Sequence, residues 1–368
     1  YSARRSALSR MLTLGACWLA LYLICSRIYS YYNLEALTRT ANGVGQETRE
    51  GLSPLGFHSA LGATNQPAAL VRLEGDYPGN PFSPMLYIRE SALSAFNGKE
   101  LVIASGEFDR DVPSVRPEET FKGSEDAGLQ DRTPVVQSIY TLTDHQTAFA
   151  LDYPVSMVRL KNPDAMRFKA AYRAYSVAPA FRPEQILSEA VGDPRWDAPT
   201  RQHYLAPHPD PRYHELALRI TAGISNPVEK MQAITDYLSQ NAIYTLTPNH
   251  EVDPDEDPVA PFLFGDLRGY CVHFAHAMVY LARSAGIPSR IGTGYLTDLS
   301  QARDGHILLR LSDRHAWAEA YVSGYGWVPF DVRPEKPCRV PGRHENSGGV
   351  NGTSGAGRRT AAGQFNSG

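Results

Sequence analysis

The chain has 368 residues, 42% of them hydrophobic and 20% charged, with a formal net charge of −3. That apolar share can build real cores, the length fits about two domains, and the near-neutral balance excludes a general electrostatic pull toward nucleic acid. The 4 cysteines are too few and too widely spaced for a disulfide scaffold.

Residues 11–25 (MLTLGACWLALYLIC) carry no charge, and apolar character continues patchily to residue 32. Arg4, Arg5 and Arg10 precede this run, Arg27 alone comes closely after it, and Tyr29, Tyr31 and Tyr32 resemble an interfacial aromatic belt. A full span needs about 20 residues and an export signal core only ~7–15. Residues 1–32 are therefore expected to be a transmembrane anchor or export signal. The arginine bias puts the chain beyond residue 32 outside the cytoplasm, at the cytoplasmic membrane. Because the chain opens on Tyr1 rather than Met, further sequence is expected upstream.

Residues 33–65, mixed and Gly-rich, predict a linker. Over 66–182, short apolar runs at 69–73, 85–89, 101–104, 135–142, 148–151 and 168–175 alternate with turn residues and predict a small β-rich domain. It carries no visible catalytic constellation. From residue 183 the periodicity becomes helical, at 184–191, 213–222 and 227–240. Asn226 is placed to cap the last of these, with Pro227 at its first position. The acidic stretch 251–257 lacks the ligand spacing of a calcium loop and predicts a solvated one. Residues 338–368, nearly free of large apolar side chains, predict a disordered tail that includes Cys338.

The chemistry concentrates in the remaining stretch, 183–337. Phe274, Ala275, Met278, Leu281, Ala282 and Ala285 recur at helical spacing, and Gly286 and Pro288 end the helix. Cys271 stands at its start, where unpaired N–H groups and the positive end of the dipole favour a thiolate. A buried core cysteine is the competing reading. A working thiol nucleophile needs a base and an orienter. His315, Trp317, Glu319 and Tyr321 alternate onto one face of a strand, and the chain returns from Ser323 toward Asp331. A three-residue loop, Ser323–Tyr325, places Asp331 opposite Trp317 and diagonal to His315. A two-residue loop places it on the other face. If the smooth face of Ala316, Ala318 and Ala320 meets the Cys271 helix, His315 has to reach the thiol from the strand's edge.

"GYCVHFAHAMVYLARSAGIPSRIGTGY", "RHAWAEAYV" and "GWVPFDVRP" closely resemble the three signature blocks of the transglutaminase-like superfamily, in the order Cys, His, Asp. "YTLTP" at 244–248 and "FLFGDLRGYC" at 262–271 resemble its bacterial membrane-anchored members. The resemblance is close over about 185–335 and looser over 65–180. It implies an α+β, papain-like catalytic domain at 183–337, behind the β-rich domain and the anchor. It further implies Cys271 as nucleophile, His315 as base and Asp331 as orienter, with the Cys271 N–H in an oxyanion hole and Tyr244 as candidate second donor. The expected activity is thiol acyl transfer, as a transglutaminase, protease or amidase, on protein, peptide or cell-envelope amides. No cofactor and no nucleic-acid partner are expected. A catalytically idle scaffold of the same fold is the alternative. The departure from the family pattern at Val332-Arg333-Pro334 leaves Asp331 untouched.

Other residues read more plainly. His273 and His276, three apart on the helix, fall with Tyr280 and Arg283 on its polar side, and are expected as surface histidines with no metal. Trp317 and Trp327 are candidates to shield a thioester or to pack as a cross-strand pair, with Trp317 a candidate substrate contact. Glu319 reads as an orienter or a solvent-side carboxylate, Arg268 as a candidate thiolate or substrate partner, and His306 as ordinary surface.

Overall fold

The computed structural model describes residues 65–332, apart from 76, 78, 80–82, 84, 124–127, 249 and 251–256. The anchor at 1–32, all but the end of the linker, most of the acidic stretch and the tail with Cys338 lie outside the described residues. No helix among those described is long and apolar enough to cross a membrane.

The strands are β1 (Pro67–Glu74), β2 (Met85–Leu93), β3 (Ala95–Phe96), β4 (Leu101–Val102), β5 (Phe121–Lys122), β6 (Arg132–Thr141), β7 (Ala150–Leu151), β8 (Tyr153–Arg159) and β9 (Ala170–Pro179), followed by β10 (Ile243–Tyr244), β11 (Arg268–Gly269), β12 (Ser289–Asp298), β13 (His306–Arg310), β14 (Arg314–Val322) and β15 (Gly326–Phe330). The helices are α1 (Pro183–Ile186), α2 (Ala198–Leu205), α3 (Pro211–Ile220), α4 (Pro227–Asn241) and α5 (Cys271–Ser284). The class is α+β. A six-stranded sheet runs β13-β1-β6-β9-β8-β5 and a five-stranded one runs β15-β14-β12-β2-β7.

The division expected at 182/183 does not separate these sheets. β2, from the expected β-rich region, pairs with β12 inside the sheet that carries His315, while β13 crosses the other way to pair with β1. Two apolar cores result from this exchange. Ile88, Tyr295 and Leu309 join Val71, Ile139 and Tyr172 in one core. Ile291, Ala316, Ala318 and Ala320 join α3, α4 and α5 in the other.

Local structure obeys the residues. Asn226 Oδ1 accepts from the N–H groups of Val228 and Glu229, 2.8 and 3.0 Å away, and Pro227 opens α4. The helix expected at 184–191 stops after one turn, because Ala190 and Gly192 instead bond the backbone of Ser323 and Tyr321 at the end of β14. Neither α2 nor β8, which contains Pro154, had a clear periodic signal.

α5 is buried on every side, not on a single stripe. Its supposed polar side is covered by the 94–104 segment and the α2–α3 region. Arg283 donates to Ser94 O and Ser289 O, and Tyr280 packs against Phe96 and Tyr213. His273 and His276 are thus interior residues, contrary to expectation. His276 Nδ1 bonds Val272 O at 2.8 Å, and burial pulls its pKa down to about 4 against the backbone bonds that favour the charged form.

Candidate active site

Cys271 opens α5, and as the first helical residue its N–H has no acceptor within the helix. The thiol is 2% exposed, packed in the core shared with Ala316. The Ala316-Ala318-Ala320 face does meet α5, so His315 reaches the thiol from the start of the strand, one residue into β14. The return hairpin pairs Val322 with Gly326 and Tyr321 with Trp327, leaving the three-residue loop Ser323–Tyr325. Continued one step past Phe330, this register sets Asp331 against Trp317 and diagonal to His315. The imidazole Nε2 and Asp331 Oδ2 are 2.9 Å apart, which leaves Nδ1 for the Cys271 side.

The electrostatics fit that order. Burial disfavours the charged imidazole, but the Asp331 carboxylate, its hydrogen bond, and a further hydrogen bond and charge from the Cys271 side chain outweigh it and push the His315 pKa up to about 10. At neutral pH the ring is therefore a cation beside the sulfur.

Tyr244 extends from β10, held in parallel register with Gly269 of β11 just before the nucleophile. Its ring stacks on Phe274 at 5.8 Å, and its hydroxyl meets the backbone amide and the side chain of Cys271. Burial first, and then the Cys271 charge, hold that hydroxyl well above the usual tyrosine range, so it is a neutral donor.

Trp317 stands beside the imidazole, with ring centroids 6.3 Å apart and planes at 19°. It is 1% exposed and gives its N–H to Glu319 Oε1 at 2.9 Å. It forms a wall of the site and has no donor left for substrate. Trp327 pairs with Tyr321, not with Trp317, and its ring covers the Arg290 guanidinium. Glu319 is fully buried, where a solvent-side position was one expectation. It accepts from Arg89 and, at 2.9 Å, from Arg290 Nε, while Arg290 also binds Asp109 and Asp111 at 2.9 and 2.5 Å. Two guanidiniums on one carboxylate outweigh burial and keep Glu319 ionised. Arg268 is exposed, and His306 bonds its own loop at Asp304 O, 3.0 Å away.

The sequence reading missed Tyr87. From β2 its hydroxyl donates to Asp331 Oδ2 at 3.2 Å, across 244 residues of chain that no local pattern spans.

Comparison with known proteins finds a family match over the segment that carries Cys271, His315 and Asp331. Residues 214–332 match the model of the transglutaminase-like superfamily. They form a transglutaminase-like domain. An uncharacterized protein, YebA, of Bacillus subtilis is 38% identical over 141 residues, 37% of this chain and 19% of that protein. A protein-glutamine gamma-glutamyltransferase of Pseudomonas aeruginosa is 28% identical over 301 residues, 78% of this chain and 41% of that enzyme. The chain thus spans less than half the length of these two relatives. The crystal structure of the periplasmic domain of TgpA from P. aeruginosa has a similar fold, with a TM-score of 0.50 and 23% identity over 74% of this chain and 88% of that one.

Proposed function

We propose that the chain is a thiol acyl-transfer enzyme in which Cys271 attacks a carboxamide or peptide carbonyl of protein, peptide or cell-envelope substrates. The observation that carries this reading is the placement of one imidazole between a thiol at a helix start and a buried carboxylate. The C–S bond forms as the C–N bond breaks, and the His315 imidazolium gives its proton to the departing nitrogen. An amine or water then attacks the thioester, loses its proton to His315, and the C–S bond breaks to restore the thiolate. In this reading the Cys271 N–H and the Tyr244 hydroxyl, in contact with each other here, are the donors offered to the charge that develops on the acyl oxygen. Asp331 keeps the imidazole oriented and its cation stabilised. The apolar segment at 1–32 and the periplasmic placement named for the TgpA domain support an anchored enzyme working outside the cytoplasm.

The test offers the chain a glutamine-containing protein with a tagged amine, beside a peptidase assay. Tag incorporation lost in Cys271→Ala, by a factor of at least about 10³, is the expected outcome for a transferase, and cleavage lost in the same variant is that for a hydrolase. Neither activity in the wild type sinks the enzyme reading in favour of a scaffold.

A further inference from the structure

The five-stranded sheet holds a second set of contacts to the catalytic carboxylate, and they come from outside the segment that matches the family. Tyr87 lies on β2, separated from β14 by β12. Between them, β12 presents Gly294 opposite His315 and Gly292 opposite Trp317. A methyl group at Gly292 would come within 2.6 Å of the Trp317 ring and 2.8 Å of Glu319 Oε1. One at Gly294 would press on the backbone of β2, 2.9 Å from Glu90 N. The bare Gly292 therefore leaves room for the Trp317 ring, and the bare Gly294 lets β12 lie close on β2. Tyr87 packs on Trp317 with centroids 5.0 Å apart, and Trp317 is fixed by its bond to Glu319, itself clamped by Arg89 and Arg290. Asp331 stands one residue beyond the last residue of β15, where ladder pairing no longer orients it. Its Oδ2 accepts from both His315, at 2.9 Å, and Tyr87, at 3.2 Å.

We propose that Tyr87 is a positioning residue for the reaction, fixing the Asp331 carboxylate toward His315 through a hydroxyl supplied by β2. This rests on the thiol acyl-transfer reading. Among the described residues, the ionisable groups facing the pair include Cys271 from α5, Tyr244 from β10 and Tyr87 from β2. Losing the Tyr87 hydroxyl leaves the carboxylate held through the imidazole, free to turn, so the imidazolium loses part of its support.

The experiment uses the full chain with ¹⁵N-labelled histidine, His315 being assigned by the resonance missing in His315→Gln. Iodoacetamide alkylation is followed on the Cys271 peptide by mass spectrometry. In the wild type, His315 should titrate far above an ordinary histidine, and alkylation at ~pH 6 should slow about tenfold in His315→Gln. If those two results fail, the thiol-enzyme reading fails with them. Where they hold, Tyr87→Phe, which keeps the ring on Trp317, should lower the His315 titration by about one unit, the size one charge-assisted hydrogen bond supports. Alkylation should slow severalfold. A Tyr87→Phe titration that matches the wild type overturns the positioning role and leaves the enzyme reading standing. A titration that rises overturns it too, since the hydroxyl would then only screen the carboxylate.

Discussion

At the scale of single residues, His315 sets the pH behaviour. Its folded pKa, about 10, lies above the ~6.5 of an unfolded histidine. The folded state therefore binds the proton more tightly, and the resulting stability is fully present below about pH 6.5 and lost as pH rises through about 10. Denaturant unfolding across that window should show stability falling with pH in the wild type, and this slope should flatten in His315→Gln. An equal slope in both would remove the ion pair from the account. Cys271, His315 and Asp331 were legible in the sequence because each sits in a local pattern: a helix start, an alternating strand, a hairpin return. Tyr87 and the burial of Glu319 were not, since the first depends on a strand 244 residues away and the second on Arg89, 230 residues away.

At the scale of elements, the site depends on how closely α5 lies on β14. Ala316, Ala318 and Ala320 are small and buried, so the helix settles onto the strand and its first residue comes level with His315. Ala318→Leu should cost about 1–3 kcal/mol through overpacking. It should also reduce Cys271 alkylation at neutral pH by moving the helix start away from the imidazole, and a stable variant with unchanged alkylation would separate packing from catalysis. The turn at Ser323-Gly324-Tyr325 and the α4 start at Asn226-Pro227 were readable, but the hairpin register stood open between a two- and a three-residue loop until Val322 was seen to pair with Gly326. The burial of His273 and His276 was not, because amphipathic spacing identifies one packing face and says nothing of a second element arriving on the other.

At the scale of the described molecule, the exchange of strands between the sheets makes the 66–182 region part of the body that carries the candidate site. A fragment limited to 183–337 would expose the β12 edge and lose Leu86, Ile88 and Val71 from the inter-sheet core. It should fail to give a cooperative thermal transition, whereas a 65–337 fragment should melt as one unit; a cooperative transition in the shorter fragment would show that β2 is dispensable. Strands were readable in this region, but not which sheet each would join, because pairing partners lie far away in the chain. β13 carries a consequence of its own. It closes the edge of the six-stranded sheet against β1, and only Leu311–Asp313 intervene before β14 begins, with His315 its second residue. A push or pull on that outer rim from a bound partner therefore has a lever arm of a few peptide units to the His315 ring.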